Sequence, residues 1–270
     1  MQIGIIAGIG ALPLIIAGDA KVRGYRVVTA AIENLASPGL EEVSDEIRWI
    51  NAGKLGELIK FFAKNKIEEI ILAGKVPKSL LYKSKITPDL RAVKVLLSLK
   101  DRSDDSILYA ITRELESEGI RILDTTAFSP HLLTPEGVLT EDSPSRDEWK
   151  DVEFGWGIAR EIGRLDIGQT VVVKDRAVMA VEAIEGTDEA IRRGGKWAGD
   201  GAVVVKVSKP QQDMRLDVPV IGLDTLKAMI DVRARVLAVE AQRSIILERE
   251  KLAAEASGAG ITVVGYRRDA

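Results

Sequence analysis

Four short segments with strand character, Gln2–Ala7, Arg26–Ile32, Glu46–Ile50 and Glu69–Ala73, alternate in the N-terminal part of the chain with stretches of helical character. Gly8-Ile9-Gly10 makes a tight turn into a helix over Ala11–Val22, with Pro13 in its first turn. Gly24 ends that helix, and a second helix is predicted over Lys54–Asn65. Strands alternating with helices specify a parallel sheet covered on both faces. Helices over Asp89–Leu99 and Asp104–Glu118 and a strand over Ile120–Leu123 complete a Rossmann-like domain, 1–133.

At 270 residues the chain is long for one core and comfortable for two. Residues 134–146, TPEGVLTEDSPSR, have the composition of a linker. A second α/β domain, 147–270, then opens on a helix over Asp147–Gly163 that Gly155 and Gly157 weaken. Three apolar runs follow, Val171–Val173, Val178–Ala183 and Gly201–Val207, separated by segments dense in charge and glycine. A helix over Asp224–Asp231 capped by Asp224, strands at Arg235–Glu240 and Ser244–Leu247, a helix over Glu248–Ser257 and a strand over Ile261–Tyr266 complete the α/β reading.

The absence of cysteine excludes thiol catalysis, disulfides and sulfur-ligated metals. With His131 the single histidine, a histidine-rich zinc site is excluded within one chain. A formal charge of −3 argues against nucleic acid as a partner. No apolar run approaches the roughly 20 residues of a membrane helix. The apolar start lacks a basic flank and is broken by Gly4, Gly8, Gly10 and Pro13, so it reads as strand, turn and helix, and the expected location is cytoplasmic.

Gly8 and Gly10 let an anion approach a helix N-terminus, although the dinucleotide pattern lacks its third glycine; a nucleotide or sugar contact and plain turn geometry both stay open. Lys75 follows a strand at the same sheet edge, as a phosphate contact or a solvated bystander. Leu80, Leu81 and Tyr82 among lysines fit either an anionic lipid surface or a neighbouring helix. Asp104 and Asp105 read as helix caps or ligands.

Further on, Thr187 is positioned to cap the helix running to Arg193, with Asp188 in its first turn. Capping does not account for Glu182 and Glu185 so near Arg192 and Arg193, nor for the glycines that follow. Lys206 and Lys209 close a strand before Pro210. Asp213, Arg215 and Asp217 alternate, so an extended backbone would point all three one way. That set is either a surface salt bridge or a site for a hard cation and a phosphate.

GIIAGIGALP at Gly4–Pro13, AGKV at Ala73–Val76, DDSIL at Asp104–Leu108, LDIGQTVVV at Leu165–Val173, AVEAIEGTDEAIRR at Ala180–Arg193 and KPQQDMRLDVPVIG at Lys209–Gly222 cover nearly the whole chain. Through them it resembles the bacterial UDP-2,3-diacylglucosamine pyrophosphatases of lipid A biosynthesis, a two-domain family once described as a domain of unknown function. The resemblance implies magnesium-dependent hydrolysis, with manganese a substitute. It further implies that water attacks the α-phosphorus in a cleft between the domains, releasing UMP and 2,3-diacylglucosamine 1-phosphate (lipid X). It implies a critical aspartate in the last motif, assigned to Asp217 with Asp213 the nearby substitute. Metal ligation falls to Asp217, Asp213, Glu182 and Asp188. Substrate binding falls to Gly8, Gly10, Lys75, Thr187, Arg192, Arg193, Lys206, Lys209 and Arg215. Phe154 and Trp156 are candidates for an acyl groove or for core packing. A lipid-linked UDP-sugar as substrate implies transient contact with the inner-membrane surface, and the apolar C-terminal strands allow a homodimer. The contrasting reading is a non-catalytic module that binds nucleotide sugars, its acidic residues serving as caps and salt bridges.

Overall fold

The computed structural model describes residues 1–76, 87–99 and 104–268. The lysine-flanked Leu80, Leu81 and Tyr82 lie outside them, as do the side chains of Asp104 and Asp105. The chain divides into two compact units, Met1–Pro130 and His131–Ala270.

The first unit runs β1 (Gln2–Ala7), α1 (Leu12–Val22), β2 (Arg26–Ile32), α2 (Leu40–Val43), β3 (Glu46–Ile50), α3 (Leu55–Lys64) and β4 (Glu69–Ala73). It ends with α4 (Leu90–Ser98), α5 (Asp104–Ser117) and β5 (Arg121–Ile122). The strands form one parallel sheet in the order β3-β2-β1-β4-β5. Ile3, Ile5 and Ala7 on β1 and Val27, Val28, Ala30 and Ala31 on β2 are fully enclosed, which is why these strands read as near-continuous apolar runs, with Thr29 the one polar residue inside β2, and not as alternation. The strand order reverses between β1 and β4, where open α/β sheets receive ligands.

The second unit runs β6 (Gly137–Val138), α6 (Arg146–Arg164), β7 (Thr170–Lys174), β8 (Ala177–Val181), α7 (Thr187–Ala198), β9 (Val203–Lys206) and β10 (Val220–Ile221). Then come α8 (Leu223–Asp231), β11 (Val236–Glu240), β12 (Ile245–Ile246), α9 (Arg249–Gly258) and β13 (Thr262–Tyr266). Its main sheet is mixed, β6-β13-β11-β9-β7-β8, with β9, β11 and β13 parallel; β10 and β12 pair separately. Residues 134–146, expected as a linker, belong to this unit. β6 pairs antiparallel with β13, and buried Thr134 bonds to the carbonyl and hydroxyl of Ser244.

The strict period of two along these strands divides the core in half. Val171, Val173, Val203, Val205, Val236 and Ala238 pack under α6 with Val152, Trp156 and Ala159. Val172, Val204, Leu237, Val239 and Val263 face the other way, against Ile191, Leu226, Met229 and Leu252. Each such side chain contributes roughly 1.5–3 kcal/mol by leaving water. Helix α6 starts on a capping box between Ser145 and Glu148 and runs unbroken through Gly155 and Gly157, the glycines expected to weaken it. Trp156 is buried and meets Tyr266 edge to face at 5.1 Å, so core packing claims it; Phe154 packs partly buried beside it. Gly194 and Gly195, left unexplained by capping, are packing residues. A Cβ on Gly194 would stand 2.6 Å from that of Val172, and one on Gly195 2.3 Å from that of Val232.

Candidate active site

β8 and β9 are both antiparallel to β7, so β8, β9 and β11 end at one edge of the second sheet. Glu182, Lys206 and Glu240 sit there, all buried. The Thr187 hydroxyl donates to Glu182 Oε1 at 2.9 Å and accepts from Lys206 Nζ at 2.8 Å, bridging a buried carboxylate and a buried ammonium. Lys206 Nζ also reaches the Val220 carbonyl at 3.5 Å, and the Gln169 amide reaches Glu182 Oε2 at 3.4 Å. A buried ion pair is costly to break, because the surviving charge stays desolvated. Next to Glu182, Gln169 Oε1 and Thr170 Oγ1 are buried without a partner among the described residues, which leaves polar capacity at this edge.

Thr187 is therefore not the cap expected of it. Gly186, at φ 87°, occupies the N-cap position and no side chain caps α7. Asp188 accepts from the Thr225 hydroxyl at 2.9 Å and so fastens the first turns of α7 and α8 together; Asp224 does not cap α8, whose N-cap is Gly222. The expected substrate arginines are engaged locally: Arg192 with Glu189 at 2.7 Å and Asp231 at 3.8 Å, Arg193 with Glu185 and, at 2.7 Å, the Val181 carbonyl.

Beyond β9 the chain folds into a compact turn. The Lys209 amide donates to Gln212 Oε1 at 2.8 Å, and Lys209 Nζ pairs with Asp166. Asp213 is not in an extended run. Its carbonyl accepts the amides of Leu216 at 3.0 Å and Asp217 at 3.1 Å, so strand parity does not set the directions of Asp213, Arg215 and Asp217. The two aspartates differ in consequence. Asp213 takes the Arg215 guanidinium on both oxygens, at 3.0 Å from Nε and 2.7 Å from Nη2, and the Arg215 amide at 3.0 Å. Those hydrogen bonds from Arg215 hold its carboxyl below the ordinary carboxylate range, against the opposing effect of burial. Asp217 is exposed and accepts from the neutral Gln212 amide at 2.6 Å.

Among the described residues no three carboxylates or histidines gather as a cation cage. Glu182, Asp188, Asp213 and Asp217 each face a different partner, so they do not form the shared ligand set expected of them.

In the first unit Gly8 and Lys75 meet as backbone. Ile9 and Lys75 exchange two amide-to-carbonyl bonds, at 2.9 and 3.0 Å, and the Gly8 amide bonds to the Ala73 carbonyl at 2.8 Å. A Cβ on Gly8 would stand 2.7 Å from the Lys75 carbonyl oxygen, and one on Gly74, at φ +83°, 2.7 Å from that of Ile9. Gly10 has φ +111°, which accounts for a glycine there without a ligand.

Ser208, Gln212 and Glu240 were not anticipated. Glu240 Oε2 accepts the Ser208 amide at 2.7 Å, and Gln212 ties Lys209, Ser208 and Asp217 into one network. An acid ending an apolar run, VLAVE, was the available signal for Glu240.

The family model described as the LpxI N-terminal domain matches residues 2–132, and that of the LpxI C-terminal domain residues 135–264. The chain is 32% identical over 275 residues to the UDP-2,3-diacylglucosamine pyrophosphatase LpxI of Caulobacter vibrioides (strain ATCC 19089 / CIP 103742 / CB 15), covering 98% of this chain and 97% of that protein. Among solved structures, phosphoribosylglycinamide synthetase from Anaerococcus prevotii aligns at a TM-score of 0.27 and 10% identity. That alignment takes in 70% of this chain and 34% of the synthetase, about a third of its length, and is too slight to bear on fold or function.

Proposed function

The chain belongs to the LpxI family, and on that premise we propose that it hydrolyses the diphosphate bridge of UDP-2,3-diacylglucosamine to UMP and 2,3-diacylglucosamine 1-phosphate, in lipid A biosynthesis. One observation carries the reading: the similarity to the Caulobacter pyrophosphatase covers 98% of this chain and so runs through both domains.

In this reading water attacks the α-phosphorus, and the bond from that phosphorus to the bridging oxygen breaks. The bonding pair stays on the bridging oxygen, which leaves with the acylated sugar phosphate. Asp217 orients the water and takes its proton, a role that suits an exposed carboxylate whose partner is an amide. Asp213 is poorly suited to that task, because protonating it would cost its bonds to Arg215; it positions the guanidinium instead. Lys206, Lys209 and Arg215 supply fixed positive charge for a group gaining negative charge as the bridge breaks. Mg2+, or Mn2+ in its place, would be held by the diphosphate and Asp217, and supplies charge neutralisation there.

No helix among the described residues is long and apolar enough to cross a membrane, so contact with the inner-membrane surface would follow from the lipid substrate. The test is product analysis after incubation of the full chain with UDP-2,3-diacylglucosamine and Mg2+. UMP and lipid X in equal amounts are expected, and intact substrate would end the reading.

A further inference from the structure

The second unit holds a cavity of about 660 Å3 whose wall includes Arg160, Arg243, Arg267 and Arg268 with a single carboxylate, Glu240, and the indole of Trp156. Glu240 is 6% exposed and its oxygens are committed: Oε2 to the Ser208 amide at 2.7 Å, Oε1 to Arg160 Nη1 at 3.4 Å and, more distantly, Arg243 Nε at 3.9 Å. It therefore aims two guanidiniums and leaves the other two uncompensated. Arg267 and Arg268 are exposed and have no ion-pair partner among the described residues. Four like charges around one concave surface raise the local potential, and a guanidinium presents its donors in a fork matched to phosphoryl oxygens. Trp156, buried against Tyr266, gives the wall a rigid backing.

We propose that this cavity binds an anionic phosphoryl group, carried either by the substrate's diphosphate or by a free phosphate compound. Arg243 links it to the neighbouring turn: Nε lies 3.4 Å from Ser208 Oγ and Nη2 3.5 Å from the Gln212 carbonyl, and the Gln212 amide donates to Asp217. The binding site stands on its own residues. Only the link to Asp217 rests on the hydrolase reading above.

The test is titration of the full chain with inorganic phosphate, followed by 31P NMR and calorimetry at low and high salt. Binding that weakens with salt is expected, with an affinity loss of about tenfold in each of Arg267→Gln and Arg243→Gln. Because Arg267 is exposed, its replacement leaves the fold intact, which circular dichroism checks. Asp217→Asn should bind phosphate as the parent does, even where it has lost hydrolysis; a fully active Asp217→Asn would remove Asp217 from the chemistry, and failure of the parent to release UMP would remove the hydrolase assignment, each leaving the cavity standing. A raised KM for UDP-2,3-diacylglucosamine in Arg267→Gln identifies the bound phosphoryl group as the substrate's own. Loss of phosphate binding with KM unmoved identifies a separate phosphate ligand. Absence of phosphate binding in the parent, or equal binding by parent and both arginine variants, overturns the proposal.

Discussion

At the ends of β1 and β4 the polypeptide meets itself backbone to backbone, with Gly8 and Gly74 in close approach and Lys75 joined to Ile9 through main-chain bonds. At the ends of β8, β9 and β11 side chains make the contacts: Glu182 through Thr187 to Lys206, and Glu240 through Ser208 to Gln212 and Asp217. The first edge is limited by shape, since a methyl group has nowhere to go; the second is limited by charge, since each buried ionic group needs its partner. Substitutions should therefore damage stability alone at the first edge, and chemistry or the buried charge network at the second.

The largest effect separating them is expected at Asp217. Asp217→Asn keeps the size and the exposed position but removes the proton acceptor, so kcat should fall roughly 10²–10⁴-fold while the melting temperature holds. Steady-state kinetics and a thermal melt on one sample check both halves. Lys206→Met comes next. It strands Glu182 among buried groups, at a cost of about 3 kcal/mol in stability, measured by urea unfolding of the second transition or of a single cooperative one. Retained stability there would show that the Thr187 bridge is not what holds this edge.

Gly74→Ala should do the opposite of Asp217→Asn. The added methyl meets the Ile9 carbonyl and the backbone has positive φ, so about 2 kcal/mol of stability is lost, with kcat of the folded fraction unchanged. A fall in kcat at full stability would make the first edge chemical and erase the contrast. The smallest effect concerns acid. Arg215 lowers the Asp213 pKa on folding, so this pair stabilises the protein above the ordinary carboxylate pKa near 4, and the contribution disappears as pH falls through the lower folded value. Asp213→Asn should lose up to about 1 kcal/mol at neutral pH and show a flatter stability profile on its acid side.

The parallel sheet of the first unit was legible because strands enclosed on both faces are made almost wholly of apolar residues, as Ile3–Ala7 and, apart from Thr29, Val27–Ile32 are. In the second unit Val171–Val173 and Val203–Val205 showed a strand core by the same rule. The Asp213–Asp217 turn was not legible, since Asp-x-Arg-x-Asp has the spacing of a strand face and only the Asp213 carbonyl, which accepts two amides, shows the reversal. Thr187 was misplaced for a related reason. A threonine ahead of Asp188 and Glu189 has the pattern of a cap, yet Gly186 fits the N-cap backbone and the hydroxyl is drawn to the buried Lys206–Glu182 pair instead. Gly194 and Gly195 could not be told from phosphate-loop glycines until Val172 and Val232 were placed against them.

The most direct measurement is hydrolysis of UDP-2,3-diacylglucosamine by the full chain in H2(18)O, with mass analysis of both products. Attack of water on the α-phosphorus predicts one 18O atom in UMP and none in the sugar phosphate. Label in the sugar phosphate, or no release of UMP at any magnesium concentration, would contradict the account.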